Sequence, residues 1–258
     1  MAKLPKLEML SLVCHNDIND DVFKQFTSLK SLELLYLKNL SNTMLVCIGN
    51  YCLELQSLTI NDPCKFIILN IYFSLLSFNI NISFTVWANV PKSISDEGII
   101  ALANLPKLES LKLFNGFITN KAFRNFKSLK TLTCDTIENI KDGVYSLLQH
   151  CSNFQEILIF YCLNYEIHCN MVEVLQKAAE MLKQRNNVDI PLLVNSVFGV
   201  GSEGFRVRMV PIRSEKDATK KLLFQLFYGR KKVTPDFVTY DLDILIREAE
   251  FLIDKYMI

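Results

Sequence analysis

Apolar residues recur along the chain in the spacing L-x-x-L-x-L. They stand at Leu7, Leu10 and Leu12, at Leu29, Leu32 and Leu34, and at Leu55, Leu58 and Ile60. The spacing returns at Leu108, Leu111 and Leu113, at Leu129, Leu132 and Cys134, and at Phe154, Ile157 and Ile159. In each copy the last two apolar residues are two apart, so both point to one face of a short strand and the residues between them to the other. Behind the strands come stretches with apolar residues three and four apart, as in Val22 to Phe26, Met44 to Ile48, Ile99 to Leu102 and Val144 to Leu148, which predict helices. One strand and one helix per copy predict an α/β solenoid, a horseshoe with short parallel strands inside and helices outside, each copy covering the apolar face of the next.

Counted on the first apolar residue of each copy, the steps are 22, 26, 53, 21 and 25 residues. Four of them fit the roughly 20 to 29 residues of such repeats. Cys151, Phe154, Ile157, Ile159 and Cys162 follow the pattern C-x-x-L-x-x-L-x-L-x-x-C, and Cys52, Leu55, Leu58, Ile60 and Cys64 follow it with one extra residue before the last cysteine. Ile94-Ser95-Asp96-Glu97-Gly98, Ile18-Asn19-Asp20-Asp21 and Ile140-Lys141-Asp142-Gly143 look like the helix entry I-T-D-x-G, where a Ser or Asp caps the free amides of the helix. These features resemble the cysteine-containing leucine-rich repeats, over about residues 1–194. The resemblance implies a leucine-rich-repeat domain that binds a protein on its concave strand face. In its strongest form it implies substrate recognition for an SCF-type, F-box ubiquitin ligase and contact with cullin-ligase components. No F-box-like helical segment is visible before Leu4, so a repeat-only scaffold is the alternative.

The long step has its own sequence. Deleting residues 66–92 joins the cysteine of one copy to the Ile94 helix entry and restores a step of 26 (53 − 27), which marks FIILNIYFSLLSFNINISFTVWANVPK as an insertion or a drifted repeat. Residues 66–91 carry no charge, and a membrane span needs about 20 mainly apolar residues. Asn70, Asn79 and Asn81 interrupt that run, and repeats stand on both sides of it, so no membrane partner is expected.

After the last copy, Val172, Leu175, Ala179 and Leu182 predict a helix, and VDIPLLV a closing strand. Residues 195–258 are expected to cap the solenoid, with two helices over Ala218 to Tyr228 and Leu242 to Tyr256 joined by the basic GRKKVTPDF.

Composition narrows the function. With 28 basic and 27 acidic residues in 258, no overall field gathers nucleic acid. The eight cysteines contain no CxxC pair and no secretory signal opens the chain, so reduced thiols and a cytoplasmic or nuclear monomer are expected. Gly199, Gly201 and Gly204 spell G-x-G-x-x-G, but FRVRMVPIR behind them alternates like a strand where a dinucleotide site needs a helix, leaving a nucleotide-binding enzyme as the reading of another class. His150-Cys151, Cys162 and His168-Cys169 gather metal-ligand types, yet the pairs are adjacent where zinc sites space them two to four apart. Cys14, His15 and Asp17 make no catalytic set beyond a loop. No enzyme, metal or cofactor is expected. The candidate residues are instead those between the leucines: Ser11, Glu33, Thr59, Lys112, Thr133 and Leu158 in one column, and Val13, Leu35, Asn61, Phe114, Asp135 and Phe160 in the next, with Phe114 and Phe160 as aromatic anchors.

Overall fold

A computed structural model describes residues 6–13, 18–35, 37, 39–61, 94–114, 118–134, 137–138, 140–161, 166–184, 191–198, 203–212, 221–228 and 237–257. Residues 66–92, with their proposed insertion, lie outside the described residues. The chain divides into two compact units, Met1–Ile118 and Thr119–Ile258, each built of a sheet and helices.

In the first unit β1 (Met9–Val13), β2 (Ser31–Leu35), β3 (Ser57–Asn61) and β4 (Ser110–Phe114) pair in parallel and in chain order. The register aligns Leu10, Leu32, Leu58 and Leu111 in one row and Leu12, Leu34, Ile60 and Leu113 in another. All are buried except the two on β1, the edge strand, which are half-buried. Each buried leucine stabilises the sheet by about 1.5–3 kcal/mol. The main chain sets this register. Glu8 O accepts the amides of Lys30 and Ser31 at 2.8 and 3.0 Å, Lys30 O those of Gln56 and Ser57 at 2.8 and 3.0 Å, and Gln56 O those of Glu109 and Ser110, both at 2.9 Å.

Behind the sheet lie α1 (Asn42–Tyr51) and α2 (Asp96–Leu102). Ser41 caps α1, its Oγ accepting the Met44 amide at 3.2 Å. Ser95 precedes α2 but makes no side-chain cap. Its Oγ accepts instead from Asn42 Nδ2 at 2.8 Å, and its amide donates to Asn42 Oδ1 at 3.0 Å, tying the two helix starts together. The helices touch through glycines. A Cβ on Gly98 would lie 2.7 Å from Asn42 Oδ1, and one on Gly49 would collide with the main-chain carbonyl of Ala101.

Val22 to Phe26 reads as helical spacing, but the chain forms only a 3-10 turn, Asp20–Gln25. Asn19 Oδ1 accepts the Asp21 amide at 2.9 Å, and Phe23 and Phe26 are buried beneath it. With ten residues between Gln25 and the end of β2, a single turn suffices to bury both rings. Just past α1, the Cys52 thiol donates to Phe23 O at 3.5 Å, and burial pushes its pKa up to about 12.

The second unit repeats this order. Phe123, Phe126 and Leu129 are buried as Phe23, Phe26 and Leu29 are. They lead into β5 (Thr131–Cys134), α3 (Ile140–His150) and β6 (Glu156–Tyr161), and Cys151, just past α3, donates its thiol to Phe126 O at 3.0 Å. Lys130 O accepts the amides of Gln155 and Glu156 at 2.8 and 3.1 Å, as Lys30 O does in the first unit. Next come α4 (Glu166–Gln184), where the period of Leu175, Ala179 and Leu182 places the helix and all three are buried, and β7 (Leu192–Phe198). β5, β6 and β7 are parallel.

Two expectations for the tail change. The strand read from VDIPLLV does not close the sheet, because β8 (Glu203–Ile212) adds to it antiparallel, followed by β9 (Lys221–Tyr228) and β10 (Phe237–Thr239). The helix expected over Ala218 to Tyr228 is strand β9, so the tail holds one described helix, α5 (Leu242–Met257). The run KLLFQLFY satisfies both periods: Leu222, Leu223, Leu226 and Phe227 would line a helix, whereas Leu222, Phe224 and Leu226 line one side of a strand. Pairing of β9 with β8 from Lys221 to Tyr228 decides for the strand. The strand β7 also runs through residues 194 and 195 without a break.

Two outcomes follow from these contacts. Gly49→Ala, which gains about 1 kcal/mol in helix propensity, is expected to lose a net 1–3 kcal/mol or so because neither main chain has room to yield. Urea unfolding measures it, and an unchanged midpoint would contradict the close approach of α1 and α2. Cys52 is neutral in the folded chain up to about pH 12, whereas an unfolded thiol ionises near 9.0. The unfolded state therefore binds fewer protons across that window, so stability falls as pH rises from about 9 towards 12. Comparing that slope with the slope in Cys52→Ala checks it.

Candidate partner-binding face

The strands that turn leucines inward turn their intervening residues to the other side. In the first unit Ser11, Glu33, Thr59 and Lys112 stand in register as one row, and Val13, Leu35, Asn61 and Phe114 as the next. Ser11, Glu33 and Lys112 are exposed, and Leu35, Thr59, Asn61 and Phe114 are half-buried. Ser11 Oγ donates to Glu33 Oε2 at 2.9 Å. With Glu33 and Lys112 on either side of Thr59, the row runs from acidic to basic. At the edge Met9 is 74 % and Val13 46 % exposed.

In the second unit Thr133 and Leu158 are in register and half-buried. Phe160 is placed on β6, where its main chain pairs with Val197, and Asp135 lies outside the described residues. No protein-family model matches the chain, and no curated protein resembles it significantly.

The row continues past the residues predicted from sequence. Leu158 is in register with Asn195 on β7, and Asn195 with Arg206 on β8. Asn195 is buried, and its Nδ2 donates to Glu156 Oε1 at 2.5 Å. Arg206 and Arg208 are exposed, while Val207 and Met209 between and beyond them are fully buried on the helix side. The alternation of F-R-V-R-M-V is the signal that carries this. Read as a strand, it already places both arginines on one face.

The other sequence candidates fall as follows. Gly199, Gly201 and Cys162 lie outside the described residues, as do Cys14 and His15, and Gly204 lies on β8, in register with Val197. Cys151 is buried with its thiol engaged, and among the described residues no group of His, Cys, Asp and Glu gathers as a metal site. No described helix is long and apolar enough to cross a membrane. Within each unit the row is continuous in register, exposed at Ser11, Glu33 and Lys112 in the first and at Arg206 in the second.

The two faces differ in what a substitution costs. Thr59→Lys and Leu158→Lys, at half-buried strand positions, are expected to cost no more than about 1 kcal/mol each. Leu58→Ala, one residue along β3 and turned inward, is expected to cost about 2–5 kcal/mol. Thermal unfolding of the three variants orders them, and a large loss in Thr59→Lys would show that its face is covered.

Proposed function

We propose that the chain is a cysteine-containing leucine-rich-repeat module that recognises a protein partner on its open strand face. The observation that carries the reading is the pair of rows: apolar residues in register on one side of parallel strands, and mixed polar, charged and apolar residues in register on the other. The inward row gives stability, and it leaves the outward row free to vary in chemistry without disturbing packing. The cysteines after α1 and α3 add support, since each thiol satisfies a carbonyl of the preceding turn in the position the resemblance assigns to it.

In its narrower form the module presents substrates to an SCF-type ubiquitin ligase, and a repeat-only scaffold is the alternative. The two differ in one contact. Co-purification of the full chain with the adaptor subunit of a cullin ligase is expected for the receptor and not for the scaffold. For the module itself, partners captured by the wild type are expected to be lost from the double variant Thr59→Lys/Leu158→Lys while its cooperative thermal unfolding is retained. Full retention of every partner by that variant would remove the strand face as the binding site.

A further inference from the structure

The antiparallel strands of the second unit extend the open face with a chemistry that the parallel strands lack. On β8 and β9 this face carries Arg206, Arg208 and Lys221, against Glu156 on β6 as its one acidic residue among the described ones of β6 to β9. Glu156 is held by Asn195, and Arg206 and Arg208 have no carboxylate within ion-pair distance among the described residues. Leu193, Val210 and Leu223 lie around them, half-buried. A basic pair within an apolar surround is a recognition surface for carboxylates, because guanidinium groups form charge-assisted bonds that are stronger where water is partly excluded.

A second observation points the same way. Asn195 Oδ1 and Gln225 Oε1 are covered and lack a hydrogen-bond donor among the described residues. Asn195 is in register with Arg206, and Gln225 with Arg208. A covered acceptor left unpaired is unfavourable, and an incoming amide donor relieves it. A peptide brings both groups: carboxylates for the arginines and main-chain N–H donors for the two carbonyls. The arginines are two residues apart on a strand, about 7 Å, which matches acidic side chains at alternate positions of an extended segment.

We infer that Arg206 and Arg208, with Asn195 and Gln225 beside them, form a docking site for an extended acidic segment of a partner protein. This rests on the proposed binding role of the strand face and names the partner's chemistry on one part of it. The two covered amide oxygens select a protein segment over nucleic acid: a peptide carries a main-chain N–H beside its carboxylates, whereas a sugar–phosphate backbone carries none.

The test titrates an acetylated peptide of alternating glutamate and leucine into the full chain, with the arginine side-chain Nε–Hε signals followed by NMR. Its glutamine–leucine counterpart and a single-stranded oligouridine serve as comparison ligands. The acidic peptide is expected to shift the signals of Arg206 and Arg208 and to weaken as salt rises. It is expected to bind at least about tenfold more weakly to Arg206→Glu/Arg208→Glu and to the milder Arg206→Gln/Arg208→Gln, as loss of charged hydrogen bonds implies. No binding, tighter binding of oligouridine, or binding unchanged in both arginine variants would overturn the inference. None of those three touches the broader reading, which stands or falls separately on partner capture by Thr59→Lys/Leu158→Lys.

Discussion

The carbonyl just ahead of β1, β2, β3 and β5 holds two amides of the next recurrence, and nearly everything else depends on that bifurcated contact. Glu8, Lys30, Gln56 and Lys130 each make it, at 2.8 to 3.1 Å. It locks neighbouring strands in a register with no offset, so leucine stands beside leucine on one side. A slip of one residue would turn every leucine to water and every polar side chain inward, which is why register is strongly specified here. The outward rows are a by-product of the same contact. Ser11, Glu33, Thr59 and Lys112 line up because the leucines next to them do.

The helix layer is joined by more individual devices. Asn42 bonds both the amide and the hydroxyl of Ser95, and Gly49 and Gly98 let α1 and α2 approach until main chain meets side chain. The cysteines act in the turn between helix and strand, where Cys52 and Cys151 are wholly buried and donate to carbonyls of the preceding phenylalanine turn. A thiol suits that place because it is small and apolar and still supplies a weak donor.

In the second unit the parallel run ends at β7, and β8 to β10 continue the sheet antiparallel. The change keeps the two-sided character. Val207, Met209, Leu222, Phe224 and Leu226 are buried towards α4 and α5, while Arg206, Arg208 and Lys221 stay on the open side. Hydrogen-bonded edges of β7 are thereby satisfied by the chain itself, and the open face acquires a basic region that the polar rows of the parallel strands do not have.

What the sequence by itself determined is the strands of the recurring L-x-x-L-x-L copies, the side their residues take and most of the helices behind them. A period of two in L-x-x-L-x-L, or of three and four in stretches such as Met44 to Ile48, is local information, and it survives whatever the strands pack against. The candidate rows were legible for the same reason, apart from Asp135 and the Phe160 side chain, which lie beyond what the structure describes. Tertiary structure decided the rest. KLLFQLFY fits helix and strand alike, and only pairing with β8 selects the strand. Asn42 reaches Ser95 across 53 residues, and Asn195 brings Glu156 to the foot of the arginine pair across 39, distances over which no local period carries information. Arg206 and Arg208 were visible as alternating residues. That they belong to the same open row as Leu158 follows from which strand lies beside which, and the fold alone settles that.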